Sequence, residues 1–233
     1  MQKRLDLRRQ GRDLGEMVAW DRYLRSSDEE QSRSIPTRQR LIVSFLELLH
    51  ESPEIPTAAQ VAKRAGCAQQ SLFEYFSSML DLSVAVAEYA FVQGSQQAVA
   101  RHVDGDRQTR LRSQVETRAR TCEEWLPLWR ALLHYQRKSD KLRVWVARVH
   151  DAMLQRLELM YKPELSQLTD GERVDILIAL GALTDFESWG RMREMHGLSI
   201  KEAKDVWIKA IDRMLPPTPE WTAPEGTATR PEG

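Results

Sequence analysis

The sequence predicts an all-α fold, on three observations. Apolar residues recur three and four positions apart through most segments, as in LIVSFLELL and ILIALGAL. No run alternates apolar with polar residues as a half-buried strand requires. Good N-caps with a Glu or Gln three residues later recur, at Thr57 with Gln60 and at Ser199 with Glu202.

In chain order, residues 1–34 form a charged extension carrying Lys3, Arg4, Arg8, Arg9 and Arg12. Asp13 is placed to cap a short helix, with Glu16 at the box position, and SSDEEQSRS reads as a linker. The extension is either a basic arm for phosphates or a minor groove, or a leader whose helix docks on the body. A first helix is expected over 37–50, with Leu41, Ile42, Phe45, Leu48 and Leu49 inward, ended by the two prolines of SPEIP. Thr57 opens a second helix with a small-residue face of Ala58, Val61, Ala62 and Ala65. Gly66 then stands where a left-handed residue or a close backbone approach is needed. A third helix begins near Ala68, with Leu72, Phe73 and Phe76 inward and Gln69, Gln70, Ser71 and Tyr75 pointing elsewhere. A long fourth helix is expected from Ser77 or Ser78 to about His102.

Beyond Arg107, four or five more helices are expected. They are an arginine-rich one over 107–122, one over 123–137 containing Pro127, one capped by Ser139 or Asp140, one over 170–196, and a last one capped by Ser199. Proline and glycine predict a flexible tail over residues 216–233.

Two short helices joined by a glycine turn make a helix-turn-helix, whose second helix can enter a DNA major groove. An ordinary helical hairpin has the same spacing. The order of residues favours the former, because 37–91 resembles the N-terminal domain of the TetR (tetracycline repressor) family of bacterial transcription regulators. RQRLIVSFLELLHE matches its apolar first helix, a threonine-capped helix follows, then AGC at the turn, AQQSLFEYF as recognition helix and SSMLDLSVAVAEYA opening the long helix. The chain departs from the family in having AGC where AGV and then Ser is commoner, and Met79 where a lysine often stands.

The resemblance implies a helix-turn-helix domain over 35–78 and a helical effector-binding and dimerisation domain over 79–215. The function expected is a transcriptional regulator, a repressor, that binds palindromic double-stranded operator DNA as a homodimer and is released or modulated by a small apolar or aromatic ligand. Gln69 and Gln70 are the candidate base readers, since an amide bonds adenine in a bidentate way. Ser71 could reach a base or a phosphate, and the family gives Tyr75 a phosphate contact. Thr57 and the N–H groups of its helix start could hold another phosphate, with Arg38, Arg40 and Lys63 supplying positive charge, and Arg64 beside them.

The family pairs through its last two long helices, which makes Gly181, Phe186, Trp189, Gly190, Trp207 and Ile211 candidates for the seam; plain core is the alternative. For an effector pocket the candidates are Phe91, Trp125, Trp129, Tyr135, Trp145 and Phe186, again with core packing as the alternative.

Composition limits the other classes. In 233 residues, 42% are hydrophobic, 29% are charged, and the formal net charge is zero. The balance gives no electrostatic support for nucleic-acid binding by itself. Near the turn the cations Arg38, Arg40, Lys63 and Arg64 face the acids Glu47, Glu51, Glu54, Glu74, Asp81 and Glu88. The alternative function is therefore a helix-turn-helix fold that binds a ligand or a protein with weak or no DNA affinity. Cys67 and Cys122 have no metal-ligand spacing, and the histidines are scattered without an HExxH pattern. No nucleophile motif or phosphate loop is present, so no enzyme, cofactor or metal is expected. No apolar run is long enough for a membrane span and no signal-like segment opens the chain, so a cytoplasmic location is expected.

Overall fold

The computed structural model describes residues 35–52, 54–97 and 99–219. The expectations for residues 1–34 and for the tail beyond 219 lie outside the described residues. Those described hold ten α-helices, one π-helical turn and no strand. They form two compact units, one ending at Leu82 and the other starting at Ser83.

The first unit holds α1 (Ile35–Glu51), α2 (Ala58–Ala65), α3 (Gln69–Tyr75) and the first turn of α4 (Met79–Gln97). The buried side of α1 is Leu41, Ile42, Phe45, Leu46 and Leu49; Leu48 is only half-buried. Against it α2 sets Ala58, Val61, Ala62 and Ala65, all buried. Three alanines and a valine leave room for close helix approach. The expected box forms at Thr57: its Oγ1 accepts from the Gln60 N–H at 3.3 Å, and its own N–H donates to Gln60 Oε1 at 2.8 Å. Arg64 ties α2 to α1 through Glu51 at 2.5 Å and Glu47 at 3.5 Å. This hydrogen bond holds the Glu51 carboxyl below its ordinary value.

The second unit continues α4 and adds α5 (Arg107–Gln136), α6 (Asp140–Met160), α7 (Lys162–Leu165), α8 (Asp170–Leu183), α9 (Phe186–Gly190), a π turn (Arg191–Met195) and α10 (Ile200–Met214). Its core stacks Leu111, Val115 and Cys122 of α5 on Leu157 and Met160 of α6, with Leu180, Trp189, Trp207 and Ile211 from the later helices. Burial pushes the Cys122 thiol up to about 11, so it stays a neutral packing group.

Four boundaries differ from the sequence reading. The two helices expected over 107–137 are one helix of 30 residues with Pro127 inside it. A proline removes one ladder bond, and packing along both sides carries the helix through. The helix expected over 170–196 is broken after Leu183, because Thr184 turns its hydroxyl onto the Leu180 carbonyl and the Asp185 side chain caps a new start at the Glu187 N–H. The fourth helix ends at Gln97 rather than near His102, and His102 takes a left-handed φ of 57°. The start of the expected flexible tail is tied down: Arg107 donates to the carbonyls of Leu215 and Pro216, Gln167 to that of Pro217, and the Thr218 hydroxyl reaches Glu164.

Glu164 is the polar centre of that anchorage. It is 0% exposed and pairs with Arg110, itself buried, whose Nε donates to the Met160 carbonyl at 2.9 Å and whose other nitrogen donates to Gly105 O at 2.6 Å. Truncating one side of a buried pair strands the other charge without compensation. Glu164→Ala should therefore lower stability by about 3–5 kcal/mol in urea unfolding, and Arg110→Met combined with Glu164→Leu should recover most of it.

Candidate nucleic-acid interface and an aromatic cavity

The turn between α2 and α3 is built by Gly66. Its φ of 70° and ψ of 37° are left-handed, and its N–H donates to Lys63 O while Cys67 N–H reaches back to Ala62 O at 3.0 Å. That pair of bonds closes the end of α2 as a Schellman-type cap. A Cβ at Gly66 would meet nothing within 4 Å, so the backbone angle, not crowding, demands glycine. Ala68 then opens α3 without a side-chain cap.

On α3 Leu72 is buried, as is Phe76 just after its end, while Ser71 and Tyr75 are half-buried at the flanks. Gln69 and Gln70 are exposed. Phe73 differs from the sequence reading, which set it inward: it is 46% exposed. Helical geometry explains this. Position 73 lies four residues after Gln69 and three after Gln70, so it falls between them on the outer face, and Glu74 extends the same face from Gln70. The outward set is thus Gln69, Gln70, Phe73 and Glu74, two amides with an aromatic ring and a carboxylate. The position of Leu72, fixed inward, was the signal that could have placed Phe73 outside.

The cations around this face are differently placed. Arg38 and Arg40 are exposed in the early turns of α1; Arg38 lies over the Phe76 ring at 5.2 Å, and Arg40 donates to Thr37 Oγ1 at 3.1 Å. Lys63 is exposed in the last turn of α2. Arg64 is committed to Glu47 and Glu51 and is not available as a counter-charge. Thr57 is exposed, with its hydroxyl already engaged by Gln60.

In the second unit a cavity of about 390 Å³ opens between α4, α5, α6 and α9. Five of the six aromatic candidates line it: Phe91, Trp125, Trp129, Trp145 and Phe186. Trp129 stacks on Phe186 at 4.8 Å between centroids, and Phe91 meets Trp145 edge-on at 6.1 Å. Tyr135 does not line the cavity; one residue before the end of α5, its ring packs edge-on to His134. The polar wall was not anticipated. Arg118, Arg156 and Gln114 all face this space. A signal existed, since Arg110, Gln114 and Arg118 recur every fourth residue beside the apolar row Leu111, Val115 and Ala119.

The six residues expected at a pairing seam pack within this chain, the alternative that the sequence leaves open. Phe186, Trp189, Trp207 and Ile211 are buried in the chain's own core, where Trp189 and Trp207 pack at 4.7 Å and the Trp189 indole donates to Glu123 at 2.7 Å. Gly181 and Gly190 do permit close approach, but within one chain: a Cβ would come within 2.9 Å of Leu154 and 2.6 Å of Arg130. The outward stripe of α8 is Asp175, Ile178, Ala179 and Ala182, with Ile178 49% exposed, and α10 shows Val206.

No family model and no curated protein matches the sequence. Solved structures do match the fold. A TetR-family transcriptional regulator from Streptomyces coelicolor aligns with a TM-score of 0.63 at 17% identity, over 76% of this chain and 79% of that one. A transcriptional regulator from Rhodococcus sp. Rha1 gives 0.61 at 16% identity, over 78% and 99%. A TetR transcriptional regulator from Rhodococcus sp. RHA1 gives 0.50 at 22% identity, over 78% and 96%. The all-α arrangement described here, a capped helix-turn-helix followed by a helical body, is the fold of the TetR-family regulators.

Proposed function

We propose that the chain is a DNA-binding transcriptional regulator that acts as a homodimer on palindromic double-stranded DNA and responds to a small ligand. The observation that carries this reading is the outward face of α3. Gln69 and Gln70 can each bond an adenine edge, Phe73 can pack on a thymine methyl, and Glu74 can accept from a cytosine amine. Tyr75 and Ser71, on the flanks, would contact phosphates, together with first-turn N–H groups of α2 behind Thr57. Arg38, Arg40 and Lys63 supply the positive charge that orients the domain. A dimer seated across a promoter excludes other proteins from it, so repression is the mode proposed.

The cavity would hold the ligand. Its wall includes Phe91 of α4, the helix that follows the reading head in the chain. A ligand that binds one arrangement of that wall better than the DNA-competent one shifts the population away from DNA. A protein deployed this way works in the cytoplasm. Among the described residues no helix is long and apolar enough to cross a membrane.

Two observations favour a rival, a binding module with little DNA affinity. Glu74 puts a carboxylate on the outward face, and Met79 opens α4 where the family often has lysine. Anisotropy titration with the DNA flanking its own gene separates the two. A regulator should bind selectively and lose affinity steeply with salt. Gln70→Ala should relax preference at one or two positions by about 1–3 kcal/mol. Equal affinity for random DNA, or no binding at low salt, favours the rival.

Pairing is proposed through the outward stripes of α8 and α10, because Phe186, Trp189, Trp207 and Ile211 are buried within the chain. Ile178, Ala179 and Ala182 make a narrow small-residue face that a second copy can approach closely. Sedimentation should give the mass of two chains for the native protein and of one for Ile178→Arg. A native protein that sediments as a single chain refutes the pairing.

A further inference from the structure

The cavity wall is apolar in area, but its chemistry has one sign. Among its described lining residues the charged side chains are Arg118 and Arg156, and no carboxylate joins them. Arg118 is nine-tenths buried, with its Nε on the Thr184 carbonyl at 2.8 Å and its guanidinium over the Phe186 ring at 4.4 Å. Asp185, a carboxylate within the field of Arg118, is not part of the lining and is held by the Glu187 N–H and by His150 at 3.4 Å. Arg156 approaches from α6 and donates to Gln114 Oε1 at 2.6 Å. Burial, with Arg118 and Arg120 as like-charged neighbours, pushes the Arg156 guanidinium below its ordinary value.

Two of the neutral groups add unmet donors. Gln114 is 1% exposed; its carbonyl oxygen is occupied by Arg156, and its Nε2 donor is buried without an acceptor. The Trp125 Nε1 donor is also buried without an acceptor. Unmet buried donors are costly, and folded proteins rarely keep them unless something else supplies the acceptor. Two cations and two residues with unmet donors line a space walled by four more aromatic rings.

We infer that this cavity binds an amphipathic carboxylate, an aromatic or acyl acid whose oxyanion sits between Arg118, Arg156 and Gln114 while its apolar body lies among Trp129, Trp145 and Phe91. A planar guanidinium matches a carboxylate in two parallel hydrogen bonds, and a low-dielectric wall strengthens them. The volume suits a small drug-sized molecule. This sharpens the expectation of an apolar ligand, and it rests on the proposed reading of the cavity as the effector site.

The test uses the full chain and two matched pairs of probes, 2-naphthoate against 2-naphthamide and decanoate against 1-decanol, followed by tryptophan fluorescence and calorimetry. At least one acid should bind about tenfold or more tighter than its neutral partner. Arg156→Met should lower that ratio several-fold, with Arg118 keeping the remainder, and Arg156→Lys should restore part of it. Because the ratio is read on the native protein, it does not depend on any variant folding. If acid and neutral partner bind equally well, the charge assignment is overturned while the cavity remains a ligand site. If none of the four binds, both the assignment and the effector-site reading fail.

Discussion

The candidate interface depends on one backbone reversal. At Gly66 the chain takes a left-handed conformation that closes α2 and launches α3. Any side chain there would oppose the angle, although space is open. Everything on α3 follows from where that reversal points it. Leu72 and Phe76 go into the core, and period-3.6 geometry then leaves Gln69, Gln70, Phe73 and Glu74 outside. The alanine face of α2 serves the same end, because small residues let α2 lie close on α1 and set the turn at a fixed height.

In the second unit, arginines of α5 organise the polar chemistry. Arg107 and Arg110 fasten the start of the helix to α7, α10 and the segment after it, around the buried Glu164. Arg118, two turns further on, has no such carboxylate at hydrogen-bonding distance and faces the cavity instead. One helix thus carries a structural ion-pair cluster at one end and an anion-attracting wall near its middle. The difference lies in whether the neighbouring helix brings an acid, as Glu164 does, or another arginine, as Arg156 does.

Much of this was legible in the sequence where the signal is local. The box at Thr57, the turn at Gly66, the buried alanines of α2 and the cap at Ser199 need only short-range chemistry. Five of the six cavity aromatics could be named because they recur on apolar helix faces. The failures concern choices made by packing at a distance. The apolar ring of Phe73 predicts an inward side chain, whereas the angle of α3 decides its side. Trp189, Trp207, Gly181 and Gly190 pack within their own chain, and nothing in the sequence says whether a close-packing residue meets its own chain or another. Pro127 sits inside a continuous helix because tertiary contacts on either side of it outweigh one lost backbone bond. The buried arginines were unread for a related reason: a charged residue is assumed exposed until its partner is known.

The central claim is that the outer face of α3 meets base edges in a major groove. Dimethyl sulfate footprinting on the DNA flanking the protein's own gene addresses this directly, since guanine N7 lies in that groove. The account predicts protection in two patches one helical turn apart, about 10 base pairs centre to centre or a multiple of it, with weaker protection for Gln70→Ala. A bound complex that leaves every guanine N7 reactive would contradict it, because the protein would then be holding the duplex without α3 in the groove.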